Sequence, residues 1–489
     1  MAEGGLWCLS MQGKPHPNSP RSAKDSAPSS CARRIPRLRD TLSPHASTLP
    51  PSLEFHEIFS PAGASAGNQD QPSPGPLEPP VPLSDSSVIT IIYTSGTSGD
   101  AKGVPLTAGN LSFMLARTKA RLDELMQAVP KQGDDRVFHY LPFCFAGSWI
   151  LLLTSLYRNN ALMLSTDLTR LAAEMEMAQP HYFLNVPALL DRMRRGIQDQ
   201  LGSKGKLIQQ VFARAQRASL GQSTAQSRLF DSLGLALARI AIFPKIKRKI
   251  GPNLQALICG SAPLAEETQL FFQMIGIPVL QVYGLTETTG ICTMDEPFSV
   301  TAGRVGPAIS GIEMKLGPRD EILVRGPHIF PGYWNRPEAT AEIIKEGWLH
   351  TGDQGEVDGK GNWRIIGRLK NLIIPTSGHN ISPEPIEQLL LRELPEADYV
   401  MIVGNGRKFL SSLMSGIIPY ERAQLAVDKV NQGLPHYKQI RKFYVVPEPF
   451  TVENGLLTSN RKIRRAIIET RYRQAIDELY LDSAKATKE

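Results

Sequence analysis

The sequence predicts an α/β protein: a large domain with a mostly parallel sheet flanked by helices, then a hairpin-rich region, then a small α+β unit. Three observations predict it. Between residues 88 and 290, short β-branched runs alternate with longer stretches of helical periodicity, the pattern of a parallel sheet with helices on its faces. Three of those runs, 88–93, 254–259 and 278–283, open directly into loops of small, hydroxyl-bearing or glycine residues. Beyond residue 300 the period shortens and turn signals cluster, so the chain changes architecture there.

At 489 residues the chain has length for two or three domains. A hydrophobic content of 42% with 21% charged residues is ordinary for a globular core, which excludes a wholly disordered or fibrous chain. Net charge +7 favours anionic partners (nucleotides, coenzymes, acidic lipids or nucleic acid) without selecting among them. The five cysteines show no C-x-x-C spacing, which argues against a disulfide framework or zinc site and for a reducing, cytoplasmic setting. The first residues lack an apolar core of signal-peptide length. The most apolar run, 141–157, is broken by Pro142 and Gly147 and reads as a buried helix, short of the roughly 18 to 20 residues a bilayer requires.

In order, residues 1–85 are rich in Pro, Ser, Ala and Gly and bury too little to fold, so disorder is expected. After the first strand comes a loop to Thr107, then a helix capped by Thr107 or Asn110 and running to about residue 128. Strands at 136 and 161–164 bracket the apolar helix, and a strand at 181–185 precedes a helix opened by Pro187. Residues 200–250 read as amphipathic helices ending in a basic run at 245–249. They suit either a solvated insertion or a contact surface for anionic membrane or an acyl-chain rim. Further on, 321–326 and 347–353 are strand-like, 358–362 is a turn, Ser382-Pro383 starts a helix, and strands at 399–403 and 409–418 lead to a basic amphipathic helix from about Lys462.

The loop at 94–103 carries four hydroxyls, three glycines and Lys102, all able to donate to a polyanion, though the spacing is not a Walker loop. Ligands in open α/β sheets sit beyond the carboxyl ends of strands, where the turns at 260–264 and 284–290 would also lie. Tyr283 offers a ring face for a base. Glu287 is the acid available there and suits a magnesium ion held mainly by phosphates.

From about residue 84 onward the chain resembles the adenylate-forming superfamily of acyl-CoA synthetases, peptide-synthetase adenylation domains and luciferases. YTSGTSGDAKGVPLT is similar to its phosphate-loop signature and VYGLTETTG to its adenine and magnesium segment. GWLHTGDQGEV, GRLKNLIIPTSGHNISPEPIE and NGLLTSNRKIRR are similar to its three late motifs, in the right order. The wording HNISPEPIE and ENGLLT, with the 200–250 insertion, is most like the long-chain fatty acyl-CoA synthetase branch.

That resemblance implies a two-step ligase using ATP, magnesium and coenzyme A, acting on a fatty-acid-like carboxylate and not on nucleic acid. It implies a large domain over 86–369 with a small barrel-like β region, and a mobile lid over 370–489 that rotates near Lys370 and Asn371. Thr94, Ser95, Thr97, Ser98 and Lys102, with Gly96 and Gly99 between them, would hold the β- and γ-phosphates. Tyr283, Gly284 and the Gly260-Ser261-Ala262 turn would bracket adenine, Thr286 would touch phosphate and Glu287 the magnesium. Asp353 would accept the ribose hydroxyls, with Arg368 beside them. Lys462 would be the mobile catalytic lysine, and Ser377, Gly378 and His379 would lie on the coenzyme A face. Relatives carry an α/β subdomain ahead of the phosphate loop where this chain has its Pro/Ser-rich stretch. An acyl-AMP ligase loading a carrier protein, or a truncated, inactive nucleotide- or lipid-binding protein, are the competing expectations.

Overall fold

The computed structural model describes residues 82–95, 101–127, 135–143, 145–158, 160–165, 168–222, 224, 226–458 and 462–481. The expectation of disorder over 1–85 therefore lies outside the described residues, save 82–85.

Strand β1 (Val88–Ser95) turns back on β2 (Ala101–Thr107) as an antiparallel hairpin, with Thr94 opposite Lys102. This corrects two expectations: β1 forms a two-stranded sheet of its own rather than an edge of the parallel sheet, and 101–107 is strand rather than loop. Gly103 and Pro105 disguised a strand that is buried continuously from Gly103 to Thr107, with Val104 and Leu106 fully buried. Helix α1 (Ala108–Gln127) follows. Thr107 and Asn110 cap it reciprocally: each backbone N–H donates to the other's side-chain oxygen, at 3.1 and 3.2 Å.

The main sheet is assembled from β3 (Arg136–His139), β4 (Ala161–Leu164), β5 (Tyr182–Asn185), β6 (Ala256–Cys259), β7 (Val279–Tyr283) and β8 (Thr293–Met294) in the order 4-3-5-6-7-8. All its pairings are parallel except β7 with β8. Helix α2 (Ala146–Arg158) links β3 to β4 and α3 (Leu171–Ala178) leads to β5. Between β5 and β6 run α4 (Pro187–Gly202), α5 (Lys206–Ser219), α6 (Arg228–Ala241) and α7 (Phe243–Ile250), and α8 (Glu266–Met274) leads into β7.

Strand alternation decides which helices cover which face. Val137, Tyr182, Ile258 and Leu280 point to one side, where they pack with α1 and α2. Phe138, Phe183, Leu257 and Val279 point to the other, against α4, α5, α7 and α8. Both faces are covered, so the central strands are mostly apolar, with His139, Asn185 and Gln281 the buried polar exceptions in β3, β5 and β7.

The hairpin region is an antiparallel sheet of β9 (Glu313–Leu316), β10 (Glu321–Arg325), β11 (Ile344–Lys345) and β12 (Trp348–Val357), with β13 (Trp363–Arg368) on β12 and α9 (Pro337–Ile343) preceding β11. The turn expected at 358–362 is present: Asp358 Oδ1 accepts the Lys360 and Asn362 amides at 2.9 Å each, and Gly361 takes a positive φ of 84°.

The last part is a three-stranded sheet of β14 (Ala397–Val403), β15 (Leu410–Gly416) and β16 (Ile440–Val446). Helices α10 (Pro383–Glu393) and α11 (Tyr420–Gln432) contribute to one apolar cluster on it, and α12 (Arg465–Arg471) and α13 (Arg473–Leu479) to another. Pro383 opens α10 as expected, but the Ser382 hydroxyl donates to Gln354 Oε1 at 2.8 Å instead of capping the helix. The helix expected from Lys462 starts only at Arg465. The Thr458 amide donates to the Lys462 carbonyl at 2.8 Å and the Lys462 amide to Thr458 Oγ1 at 3.1 Å, a tight loop that uses the backbone groups a helix would need.

Candidate active site

The site lies beyond the carboxyl ends of β6 and β7. Gly284 follows β7 where the chain doubles back, and a Cβ there would overlap the Gly290 carbonyl, so this crossing requires glycine. After β6, Ser261 adopts a φ of 72°, uncommon for a residue with a side chain. That turn presents the Ser261 carbonyl, and Lys462 Nζ donates to it at 3.2 Å.

On the floor of the cleft, Asp353 of β12 is 4% exposed and both its oxygens are engaged. Tyr283 donates its hydroxyl to Oδ2 at 2.8 Å, and Arg368 Nε of β13 pairs with Oδ1 at 2.7 Å. Burial raises the Asp353 pKa, and the Arg368 guanidinium opposes that rise. Burial, with the Asp353 charge adding to it, raises the Tyr283 phenol well above its ordinary value, so Tyr283 remains a donor. The direct partners of Asp353 are therefore a tyrosine and an arginine, not open water.

Lys462 is at the solvent-reached lip. Desolvation of its ammonium and then the neighbouring Arg368 charge lower its pKa, while Asp353 acts the other way. Lys370 belongs to the same cluster: desolvation first, then Arg368 and Lys462, push it down to about 8. Three cations crowding one carboxylate leave an excess of positive charge, and an arriving anion would relieve it.

A second group joins the first. Glu287 sits in the short turn after β7, and its Oε1 accepts the Tyr333 hydroxyl at 2.7 Å. Lys102 Nζ lies 4.9 Å from the centre of the Tyr333 ring, so the hairpin lysine and Glu287 meet across one tyrosine. Arg368 acts electrostatically on the Tyr333 phenol, which ties this group to the floor. The Trp334 amide donates to the Gly103 carbonyl at 2.9 Å and fixes the hairpin against this loop.

Of the residues singled out in sequence, Lys102, Ser261, Tyr283, Gly284, Glu287, Asp353, Arg368 and Lys462 are drawn together by these contacts. Thr286 opens the turn that carries Glu287, and Gly260 and Ala262 flank Ser261. Thr94 stands opposite Lys102, its hydroxyl 3.4 Å from the Lys102 carbonyl. Gly96, Thr97, Ser98 and Gly99 lie outside the described residues, as does the side chain of Ser95. Ser377, Gly378 and His379 form an exposed turn of their own. His379 Nδ1 lies 3.1 Å from Ser377 Oγ, and the ring stacks on Tyr437 at 4.3 Å between centres. Tyr333 was missed. It sits in the sequence PGYWN, where nothing local marks a tyrosine that will meet both an acid and a lysine.

Among the described residues no group of three or more His, Cys, Asp or Glu side chains could hold a metal ion. No helix among the described residues is long and apolar enough to cross a membrane.

The doubly covered sheet followed by a small α+β unit has the fold of adenylate-forming enzymes. The structure is similar to o-succinylbenzoate CoA synthetase (MenE) from Bacillus subtilis in complex with the acyl-adenylate intermediate OSB-AMP. The TM-score is 0.59 at 21% identity, over 79% of this chain and 70% of that one. Residues 30–334 match the family described as AMP-binding enzyme, and residues 370–484 match the AMP-binding enzyme C-terminal domain. The chain belongs to the AMP-binding enzyme family. In sequence it is similar to fadD11 of Mycobacterium tuberculosis, 29% identical over 92% of this chain and 81% of the relative. It is also similar to the long-chain-fatty-acid–CoA ligase FadD15 of Mycobacterium bovis, 27% identical over 81% and 70%.

Proposed function

We propose that this chain is an AMP-forming acid–thiol ligase that activates a fatty carboxylic acid with ATP and passes the acyl group to coenzyme A. In the first step a carboxylate oxygen attacks the α-phosphorus, the bond to the β-phosphate breaks, and pyrophosphate leaves. In the second, the coenzyme A thiolate attacks the acyl carbon and AMP leaves.

The observation that carries this reading is the hydrogen bond from Lys462 Nζ to the Ser261 carbonyl, because it sets a cation of the C-terminal unit at the edge of the cleft holding Asp353 and Arg368. Two anions must come within bonding distance in the first step, and an ammonium between them offsets their repulsion as charge develops. Lys462 exchanges a neutral carbonyl for those anions. Asp353 takes the ribose hydroxyls, with Arg368 beside it; Tyr283 and the Gly260–Ala262 turn enclose the base. Lys102 and the hydroxyl loop from Thr94 to Ser98 hold the outer phosphates, with Thr286 at the phosphate edge. Glu287 would hold magnesium, which neutralises phosphate charge when bound.

Between the steps the small unit, 370–489, turns about Lys370 and Asn371, withdrawing Lys462 and bringing the Ser377–Gly378–His379 turn toward coenzyme A. The setting is cytoplasmic, in keeping with Cys259 and Cys292, both buried free thiols.

Pyrophosphate release from ATP, measured across carboxylates of graded length with and without coenzyme A, tests the reading. The expected result is release that depends on a fatty acid and is matched by loss of free coenzyme A thiol. Release without thiol loss but with loading of an acyl-carrier protein would replace the acceptor. Absence of any acid-dependent release would overturn the ligase reading.

A further inference from the structure

The helical insertion between β5 and β6 carries a surface that the ligase chemistry does not use. Helix α6 packs inward through Asp231, Gly234 and Ala238. Its opposite side exposes Leu229 (84%), Phe230 (60%), Leu233 (56%), Leu237 (46%) and Ile240 (79%). At 3.6 residues per turn these five positions fall within an arc of about 100° and form a stripe about 17 Å long. Single exposed apolar residues are commonplace; a contiguous row along three turns marks an interaction surface.

The charge around the stripe selects the partner. Residues 201–250 hold ten Lys and Arg against one acid, Asp231. That acid is 1% exposed and paired with Arg217 at 2.9 Å, so it offers no negative charge to a partner. Arg228 and Arg239 lie on α6 outside the stripe, and Lys245, Arg248 and Lys249 are exposed on α7, whose Phe243, Ile246 and Ile250 are buried in the core. A second copy meeting this face about a two-fold axis would set like charges against one another. An anionic lipid surface satisfies the apolar and the cationic parts together.

We propose that α6 docks on anionic bilayers, lying in the headgroup plane with its leucine and phenylalanine stripe inserted and the α7 cations on lipid headgroups. This concerns binding and stands independently of the ligase reading.

The test is co-sedimentation of the full chain with phosphatidylcholine vesicles, with and without about 30% phosphatidylserine. Binding is expected to be at least about tenfold tighter with the anionic lipid and to weaken as salt rises. The L233E/L237E variant, altered only at exposed positions, is expected to keep its unfolding temperature and lose about tenfold or more in binding. K245A/K249A is expected to lose the preference for anionic lipid. Equal sedimentation of wild type and L233E/L237E would overturn the proposal. So would a dimer in gel filtration that L233E/L237E dissociates, with no vesicle binding by wild type; the face would then be a contact between copies.

Discussion

The floor and the lip of the cleft hold charge in opposite ways. On the floor, Asp353 is enclosed by three strands: it stands on β12, bonds Tyr283 at the end of β7 and pairs with Arg368 at the end of β13. At the lip, Lys462 sits in a tight loop ahead of α12 and donates to one neutral carbonyl of another loop. The floor is preorganised and costly to rearrange, because removing one member leaves a buried charge without its partner. The lip can exchange partners at little cost. A group that binds throughout a reaction belongs on the first, and a group that acts in one step and withdraws belongs on the second.

The largest effect should come from the lip. Lys462→Ala is expected to lower overall acyl-CoA formation by about 10² or more while leaving the unfolding temperature unchanged. A steady-state thiol assay with a thermal melt checks both. Loss of folding with loss of rate would place Lys462 among structural residues and break the contrast.

On the floor, Asp353→Asn keeps shape and removes charge. It is expected to lower kcat/KM for ATP about tenfold, since the carboxylate acceptor is lost, while stability at neutral pH is not lowered, because burial already disfavours the ionised form. Nucleotide titration and denaturant unfolding measure the two, and an unchanged kcat/KM for ATP would take Asp353 out of the nucleotide site.

Between the two regions, Tyr333→Phe frees Glu287 Oε1 from its hydrogen bond. The magnesium concentration giving half-maximal rate is expected to fall by about two- to fivefold, the worth of one such bond. An unchanged magnesium dependence would mean that Tyr333 does not compete with the ion.

The smallest effect on activity is expected at Asp295, a buried carboxylate outside the site. It accepts the Gln281 amide at 2.8 Å, and burial pushes its pKa up to about 7. The unfolded chain loses this proton near pH 4 and the folded chain only near 7, so stability should fall as pH rises between about 4 and about 7. Asp295→Asn is expected to flatten that slope in thermal melts taken across pH, with turnover unchanged. A slope that persists would assign it to other groups.

Much of the fold was legible because parallel strands covered on both faces leave an unmistakable alternation of apolar runs and helices. The loops after 259 and 283 could be placed from that pattern, since ligand loops follow strand ends. Residues 101–107 were not legible as strand: Gly103 and Pro105 interrupt the pattern, and only pairing with β1 reveals it. The ion pair of Asp353 with Arg368 depends on β12 lying beside β13, and the tyrosine bond to Glu287 spans 46 residues, so neither leaves a local signal. Lys462 was singled out by its motif, but its place outside the helix was hidden because the bonds to Thr458 compete with a helix that the basic periodicity favours.

The division between floor and lip is tested most directly by separating the half-reactions of Lys462→Ala. Acid-dependent pyrophosphate formation from ATP is measured alongside thioester formation from supplied acyl-adenylate and coenzyme A. The account predicts a drop of about 10² or more in the first and a near wild-type rate in the second. Equal loss in both would contradict it.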